Sequence, residues 1–293
     1  MKRVVVTGAS GLLGCKLVKA LSDGYEVIPT HSTHLIHPDS VRMDIVDGKE
    51  VARVLSSVKP EFVVHAAAET NVDKCETDRE LAWSVNAEGT RNIASACGKN
   101  GVKLVYVSTD YVFDGEKGHY TEEDEANPVN YYGVTKLGGE RFVRELCEDY
   151  IIVRTSVLYG WHPSRVNFAT WVIDSLRNGK GISVVEDHYN SPTLADNLAE
   201  IILRIERMDV AGLYHVAGSE RMSRYGFAMK TAEVFGLDRS LIAPIKMKDL
   251  KVWVARRPRD SSLSVDKARH ELKVRLLDTQ EGLSQMRVLA SGE

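Results

Sequence analysis

The chain has 293 residues, 43% of them hydrophobic, and a net charge of −3 from 38 basic and 41 acidic side chains. At this length a chain buries about three quarters of the surface it exposes when unfolded, so a core forms without metal or disulfide staples. The intermixed charges exclude a basic stripe for nucleic acid and a polybasic patch for membrane, which leaves a small molecule as the expected partner. Cys15, Cys75, Cys97 and Cys147 are widely spaced and read as buried thiols of a reducing compartment rather than as a disulfide or metal framework. Met1-Lys2-Arg3 passes at once into Val4-Val5-Val6, too short for a signal peptide, and no run approaches the ~18 apolar residues of a membrane span. The expectation is a cytoplasmic protein.

The first strand is Arg3 to Thr7, followed by Gly8-Ala9-Ser10-Gly11-Leu12-Leu13-Gly14 and a helix from Leu12 to Leu21. Glycine at every third position between a first strand and a first helix is the pattern of a dinucleotide turn. Gly8 makes the turn, Gly11 lets a pyrophosphate approach the backbone, and Gly14 lets helix and strand pack closely. The helix N-terminus offers unpaired N–H groups to the phosphates. Gly8, Ser10, Gly11, Leu12 and Leu13 are therefore candidate cofactor contacts.

The second strand is Glu26-Val27-Ile28, and the stretch after it, Thr30-His31-Ser32-Thr33-His34, carries no acid. An acid there would bind the ribose 2′-hydroxyl of NAD and repel a 2′-phosphate. Hydroxyls and imidazoles accept a phosphate, so NADP(H) is favoured over NAD(H), with Ser32 and Thr33 as contacts and Asp44 and Ile45 bordering the adenine. His31, His34 and His37 lack partnering acids or thiols at ligand spacing and read as a solvated loop, not a metal site.

A helix over Gly48 to Val58 leads to the third strand, Phe62 to His65, and then to Ala66-Ala67-Ala68, small residues that leave the backbone open to the cofactor. A helix from Leu81 to Cys97 precedes the fourth strand, Lys103 to Val107, and a helix from Tyr132 to Leu146 precedes the fifth, Ile151 to Arg154. Nearly continuous apolar strands alternating with amphipathic helices indicate α/β architecture, a doubly wound parallel Rossmann sheet buried on both faces. After about residue 160 the pattern loosens. Trp161 to Ser164 reads as a loop, followed by a helix to Leu176. Asp187 to Pro192 reads as a second loop, Ala195 to Ile205 as a helix and Leu213 to Val216 as a strand. The expected division is 1–160 for the dinucleotide domain and 161–293 for a small C-terminal substrate-binding lobe interleaved with late sheet strands.

Tyr132 and Lys136 stand four residues apart, on one face of their helix. The spacing alone is common, but its position after the fourth strand puts the pair at the cofactor cleft. A carbonyl that receives hydride becomes an alkoxide and needs a proton, and a phenol whose pKa is lowered by a neighbouring ammonium suits the task. Thr109, at the carboxyl end of the fourth strand, is the expected third member, polarising the substrate carbonyl, with Ser108 as the fallback.

The glycine turn, His65 to Asp73, Ser108 to Gly115, Tyr132 to Glu140, Ser191-Pro192-Thr193 and Arg257 to Leu263 form an ordered series over nearly the whole chain. In this series the sequence resembles the extended short-chain dehydrogenase/reductase superfamily and, more narrowly, the dTDP-4-dehydrorhamnose reductase family. The resemblance implies reduction of the 4-keto group of a deoxysugar nucleotide by NAD(P)H, with Asp110 beside the substrate, Arg257 and Arg154 toward its diphosphate, and a homodimeric assembly. Val157 stands where those reductases carry a tryptophan associated with the sugar. The series also resembles the regulatory β subunit of methionine adenosyltransferase, which binds the dinucleotide without catalysis. A nucleotide-sugar epimerase or dehydratase is the third alternative.

Overall fold

The computed structural model describes residues 1–33 and 37–290. Seven strands form one parallel sheet: β1 (Arg3–Thr7), β2 (Glu26–His31), β3 (Val41–Arg42), β4 (Phe62–His65), β5 (Lys103–Thr109), β6 (Tyr150–Thr155) and β7 (Gly212–His215). Their spatial order is β7-β6-β5-β4-β1-β2-β3, every pairing parallel. The order reverses between β1 and β4, and at such a switch point the crossing helices diverge and open a crevice beyond the strands' carboxyl ends.

The helices are α1 (Leu12–Leu21), α2 (Gly48–Val58), α3 (Gly89–Asn100), α4 (Tyr131–Leu146), α5 (Phe168–Arg177), α6 (Ala195–Glu206), α7 (Arg224–Phe235) and α8 (Thr279–Ala290). Side chains of a strand alternate between faces, so both faces of a doubly covered sheet must be apolar. Val4 and Val6 of β1 enter one core with Leu13 and Leu17 of α1 and Leu198 and Ile202 of α6. Val5 enters the opposite core with Val54 of α2, Ile93 of α3 and Val143 of α4. Several stretches from beyond residue 160 join this body: β7 pairs with β6, α6 packs on α1, and Leu263, Val265, Ala268, Leu272 and Leu276 enter the core shared with α1. Other parts of the second half form a separate apolar centre, where Phe227, Leu283 and Met286 meet Tyr159. No helix among the described residues is long and apolar enough to cross a membrane.

Three sequence expectations are corrected. The helix expected over Leu81 to Cys97 is broken into Arg79–Trp83, a wide turn at Ser84–Glu88, and α3. The cause is Asn86: its side chain accepts from Glu69 N at 2.8 Å and donates to Glu69 O and Thr135 Oγ1, both at 3.0 Å, holding one residue out of the regular helical ladder. β2 runs on to His31, so Thr30 and His31 are strand, not loop. The loop expected over Asp187 to Pro192 contains a short strand, Tyr189–Asn190, paired with Met222–Ser223.

Close approach at the first crossing depends on glycine. Gly8 has φ +67, and a Cβ on it would lie 2.7 Å from Ala67 N; a Cβ on Gly14 would meet Gly8 O and lie 2.7 Å from Ala9 Cα. Gly14→Ala is expected to destabilise the fold by about 1–3 kcal/mol through overpacking. Urea unfolding measures it, and an unchanged midpoint would contradict the close approach.

Candidate active site

A cleft of about 770 Å³ opens at the switch point. At one end it is lined by Gly8, Ser10, Gly11, Leu12 and Leu13, flanked by Ala66, Ala67 and Ala68. Ser32, Thr33, Asp44 and Ile45 line the neighbouring edge, and Thr109, Asp110, Tyr132, Lys136 and Val157 line the opposite wall. The structure thus brings together every residue singled out from the sequence for cofactor, substrate or catalysis except Arg154 and Arg257.

The turn is built to receive an anion. No side chain caps the N-terminus of α1, so its first N–H groups and the dipole's positive end face the cleft. Thr7 Oγ1 holds the opposite rim by accepting from Ala67 N at 3.2 Å. A buried relay fixes that rim: Thr90 donates to Asn86 O at 2.6 Å, so it accepts from His65 Nε2 at 3.0 Å, and His65 Nδ1 accepts from Thr7 at 2.7 Å. Burial first, then the Lys136 charge, pushes the His65 pKa down to about 3, consistent with this neutral tautomer. At the β2 end, Ser32 and Thr33 are exposed on the rim, and His31 Nδ1 pairs with Ser40 Oγ at 2.8 Å. His34 lies outside the described residues. The donor set of turn, helix N-terminus and rim hydroxyls fits a dinucleotide's phosphates.

The opposite wall is organised by α4. Tyr132, Lys136 and Glu140 follow at one-turn intervals on one face. Glu140 is fully buried; its carboxylate accepts from Ser108 at 2.6 Å and from Arg154 through two bonds of 2.8 Å. The Lys136 ammonium lies 4.3 Å from the centroid of the Tyr106 ring, and burial, opposed by Glu140, pushes its pKa down to about 7. Burial raises the Tyr132 phenol far above its usual value, opposed by a hydrogen bond with Thr109. The expectation that Lys136 lowers the phenol is therefore corrected: both groups are desolvated, and burial is the dominant influence on each. At neutral pH the phenol keeps its proton.

Thr109 Oγ1 accepts from Tyr111 N at 3.2 Å and donates to Asp110 Oδ1 at 3.1 Å. Asp110 Oδ2 accepts from Ser156 at 2.8 Å and from Ser261 at 2.5 Å. Asp110, expected beside the substrate, lines the cleft, and its carboxylate accepts hydroxyls from three segments. Ser108, the fallback for Thr109, gives its proton to Glu140. The two arginines expected to meet a diphosphate are also committed elsewhere: Arg154 to Glu140, and Arg257 to Asp73 through bonds of 3.0 and 2.9 Å. Neither lines the cleft.

The cleft holds residues that sequence reasoning missed. Arg224 opens α7, lines the wall beside Tyr111 and is hydrogen-bonded to it. Thr155, level with Thr109 on the neighbouring strand, has a buried hydroxyl without a partner among the described residues. Arg165 and Asn167 enter from the loop before α5. No local spacing marks these positions; the chain's second half carries Arg224, Arg165 and Asn167 to the cleft by tertiary packing. Val157 takes φ +43, a conformation unusual for a β-branched side chain, and its carbonyl accepts from Thr193 N at 3.1 Å.

A family profile described as RmlD substrate binding domain matches residues 1–289. The dTDP-4-dehydrorhamnose reductase of Escherichia coli (strain K12) is 32% identical over 296 residues, 97% of this chain and 96% of that protein. Methionine adenosyltransferase 2 subunit beta of Rattus norvegicus is 32% identical over 273 residues, 91% of this chain and 81% of that protein. A crystal structure of dTDP-4-dehydrorhamnose reductase from Bacillus anthracis in complex with NADP aligns with a TM-score of 0.91 and 34% identity, covering 99% of this chain and 100% of that one.

The buried ammonium has a thermodynamic signature. Between about pH 7 and the ordinary lysine value near 10.4, the folded chain binds fewer protons at Lys136 than the unfolded chain does. Its burial therefore destabilises the fold most at and below pH 7, and the penalty fades as pH rises through that window. Lys136→Met is expected to raise stability at pH 7 by on the order of 2 kcal/mol, with the gain shrinking toward pH 10. Thermal unfolding at several pH values reads this, and a variant less stable than the parent at pH 7 would contradict it.

Proposed function

This chain belongs to the RmlD substrate binding domain family, and from that premise we propose that it is an NADP-dependent dTDP-4-dehydrorhamnose reductase of dTDP-rhamnose biosynthesis. The observation that carries this reading is the grouping of Thr109, Tyr132 and Lys136 on the cleft wall opposite an uncapped helix N-terminus suited to a dinucleotide. When bound, the reduced nicotinamide supplies hydride to C4 of the keto sugar. Tyr132 donates its phenolic proton to the C4 oxygen. An alkoxide is more basic than a phenolate, so the raised pKa of Tyr132 does not impede donation and keeps the group protonated until it is needed. Thr109 orients that phenol. Lys136, poised near neutrality by burial, returns a proton to the phenolate and donates to the cofactor ribose.

Residues 161–293 form the substrate-binding side, with Arg224 holding the sugar nucleotide's diphosphate. Reduction is favoured over dehydration by Asp110: an acid for dehydration needs an oxygen facing the sugar, and both Asp110 oxygens are taken by Thr109, Ser156 and Ser261. A purely regulatory role gives no account of a wall that keeps threonine, phenol and ammonium together.

NADPH absorbance followed against dTDP-4-dehydrorhamnose tests the activity, and oxidation dependent on the keto sugar is expected. Tyr132→Phe should lower kcat by about 10²–10⁴-fold, while NADPH binding measured by fluorescence stays within about twofold. Tight NADPH binding without turnover in the parent protein would contradict the reductase and favour the regulatory reading.

A further inference from the structure

We propose that Arg165 holds the dinucleotide's pyrophosphate, reaching across the glycine turn from the second half of the chain. The proposal rests on the dinucleotide reading of the cleft and adds a residue that the turn itself does not contain.

Arg165 lies on the segment between the short strand Leu158–Tyr159 and α5. His162 shapes this segment: its Nδ1 accepts from Ser164 N at 3.1 Å and from Arg165 N at 2.8 Å. A ring nitrogen that accepts two N–H bonds carries no proton, so the proton sits on Nε2. Nε2 lies 3.6 Å from Cys15 Sγ, and Cys15 Sγ donates to Ala9 O at 3.3 Å. Burial lowers the His162 pKa, in keeping with a neutral ring at pH 7. The segment is thereby fastened to the first turn of α1. A second fastening is Arg165 itself, whose Nε donates to Ser10 O at 3.2 Å. With Nε tied to the turn's backbone, the guanidinium is held beside the phosphate-binding N–H groups and lines the cleft.

The distribution of charge singles out Arg165. Three Lys or Arg side chains line the cleft among the described residues: Lys136 on the catalytic wall, Arg224 beside Tyr111, and Arg165 at the glycine turn. The nearby Lys16 is neutralised by Asp196 at 3.1 Å. A pyrophosphate seated on α1 would meet only backbone N–H groups and half a unit of dipole charge without a side-chain cation. A guanidinium adds paired donors that match phosphate oxygens.

Fluorescence titration of the full chain with NADPH and with NADH, for the parent, Arg165→Gln and Arg165→Lys, tests the proposal. Arg165→Gln is expected to raise Kd for both dinucleotides by about tenfold or more, the loss of a charge-assisted contact. It should also flatten the rise of Kd with added KCl, and Arg165→Lys should restore part of both. The side chain is exposed, so ligand-free thermal midpoints should match the parent. A Kd within twofold of the parent would overturn the clamp, and so would a loss confined to NADPH, which assigns the contact to the 2′-phosphate. Failure of the parent to bind either dinucleotide would remove the underlying reading and the clamp with it.

Discussion

Glu140 is a carboxylate with no exposure to water, held there by three donors that converge on it from two strands, with Arg144 of its own helix adding a longer contact of 3.4 Å. Ser108 brings its hydroxyl from β5 and Arg154 its guanidinium from β6. An isolated carboxylate at this depth would be severely penalised, so helix and strands cannot slide past one another without breaking the set. Arg154 is further confined by the Phe113 ring, 5.0 Å away. The consequence reaches the chemistry through simple adjacency. Tyr132 and Lys136 lie two turns and one turn before Glu140 on the same helical face. Thr109 and Thr155 follow Ser108 and Arg154 directly and are level with each other across the sheet. One ion pair thus sets the register of the whole wall that carries the proposed catalytic residues.

A second knot joins that wall to the other half of the chain. Asp110 receives hydroxyls from Ser156, just beyond β6, and from Ser261. Ser261 belongs to a segment pinned between two others: Asp260 N donates to Gly115 O at 3.1 Å and Ser261 N to Tyr189 O at 3.1 Å. Gly115 permits this contact, since a Cβ there would lie 2.5 Å from Arg259 N. The sequence series from Arg257 to Leu263 therefore has a physical purpose. Its residues tie the second half of the chain to the carboxylate on which Thr109 rests, while Arg257 anchors the same segment on Asp73.

Much of this was readable in the amino-acid sequence because the signals are local. Strands buried on both faces must be apolar throughout, which made β1, β4 and β5 visible as runs such as Val4-Val5-Val6. The glycine turn is visible because no other residue tolerates the backbone of Gly8 or the contact at Gly14. Tyr132 and Lys136 are visible because helical geometry fixes their spacing. What escaped depends on distant partners. The break at Ser84–Glu88 answers to Glu69 and Thr135, which lie outside the helix. Arg257 carries the right charge for a diphosphate, but Asp73 claims it, while Arg224 and Arg165 reach the cleft through folding of the second half. The proton affinity of Tyr132 is hidden from the sequence for the same reason. Its neighbour Lys136 is written in the sequence, whereas the burial that governs both is not.

The central claim is that this wall completes a hydride reduction at C4 of a nucleotide sugar. Deuterium transfer from NADPH labelled at nicotinamide C4 tests it most directly, with the product sugar analysed by mass spectrometry and NMR. The account predicts one deuterium, carried from the cofactor's transferable position to sugar C4 in a net-reduced product. A sugar product without label, or a dehydrated or epimerised sugar with the cofactor unchanged, would contradict it.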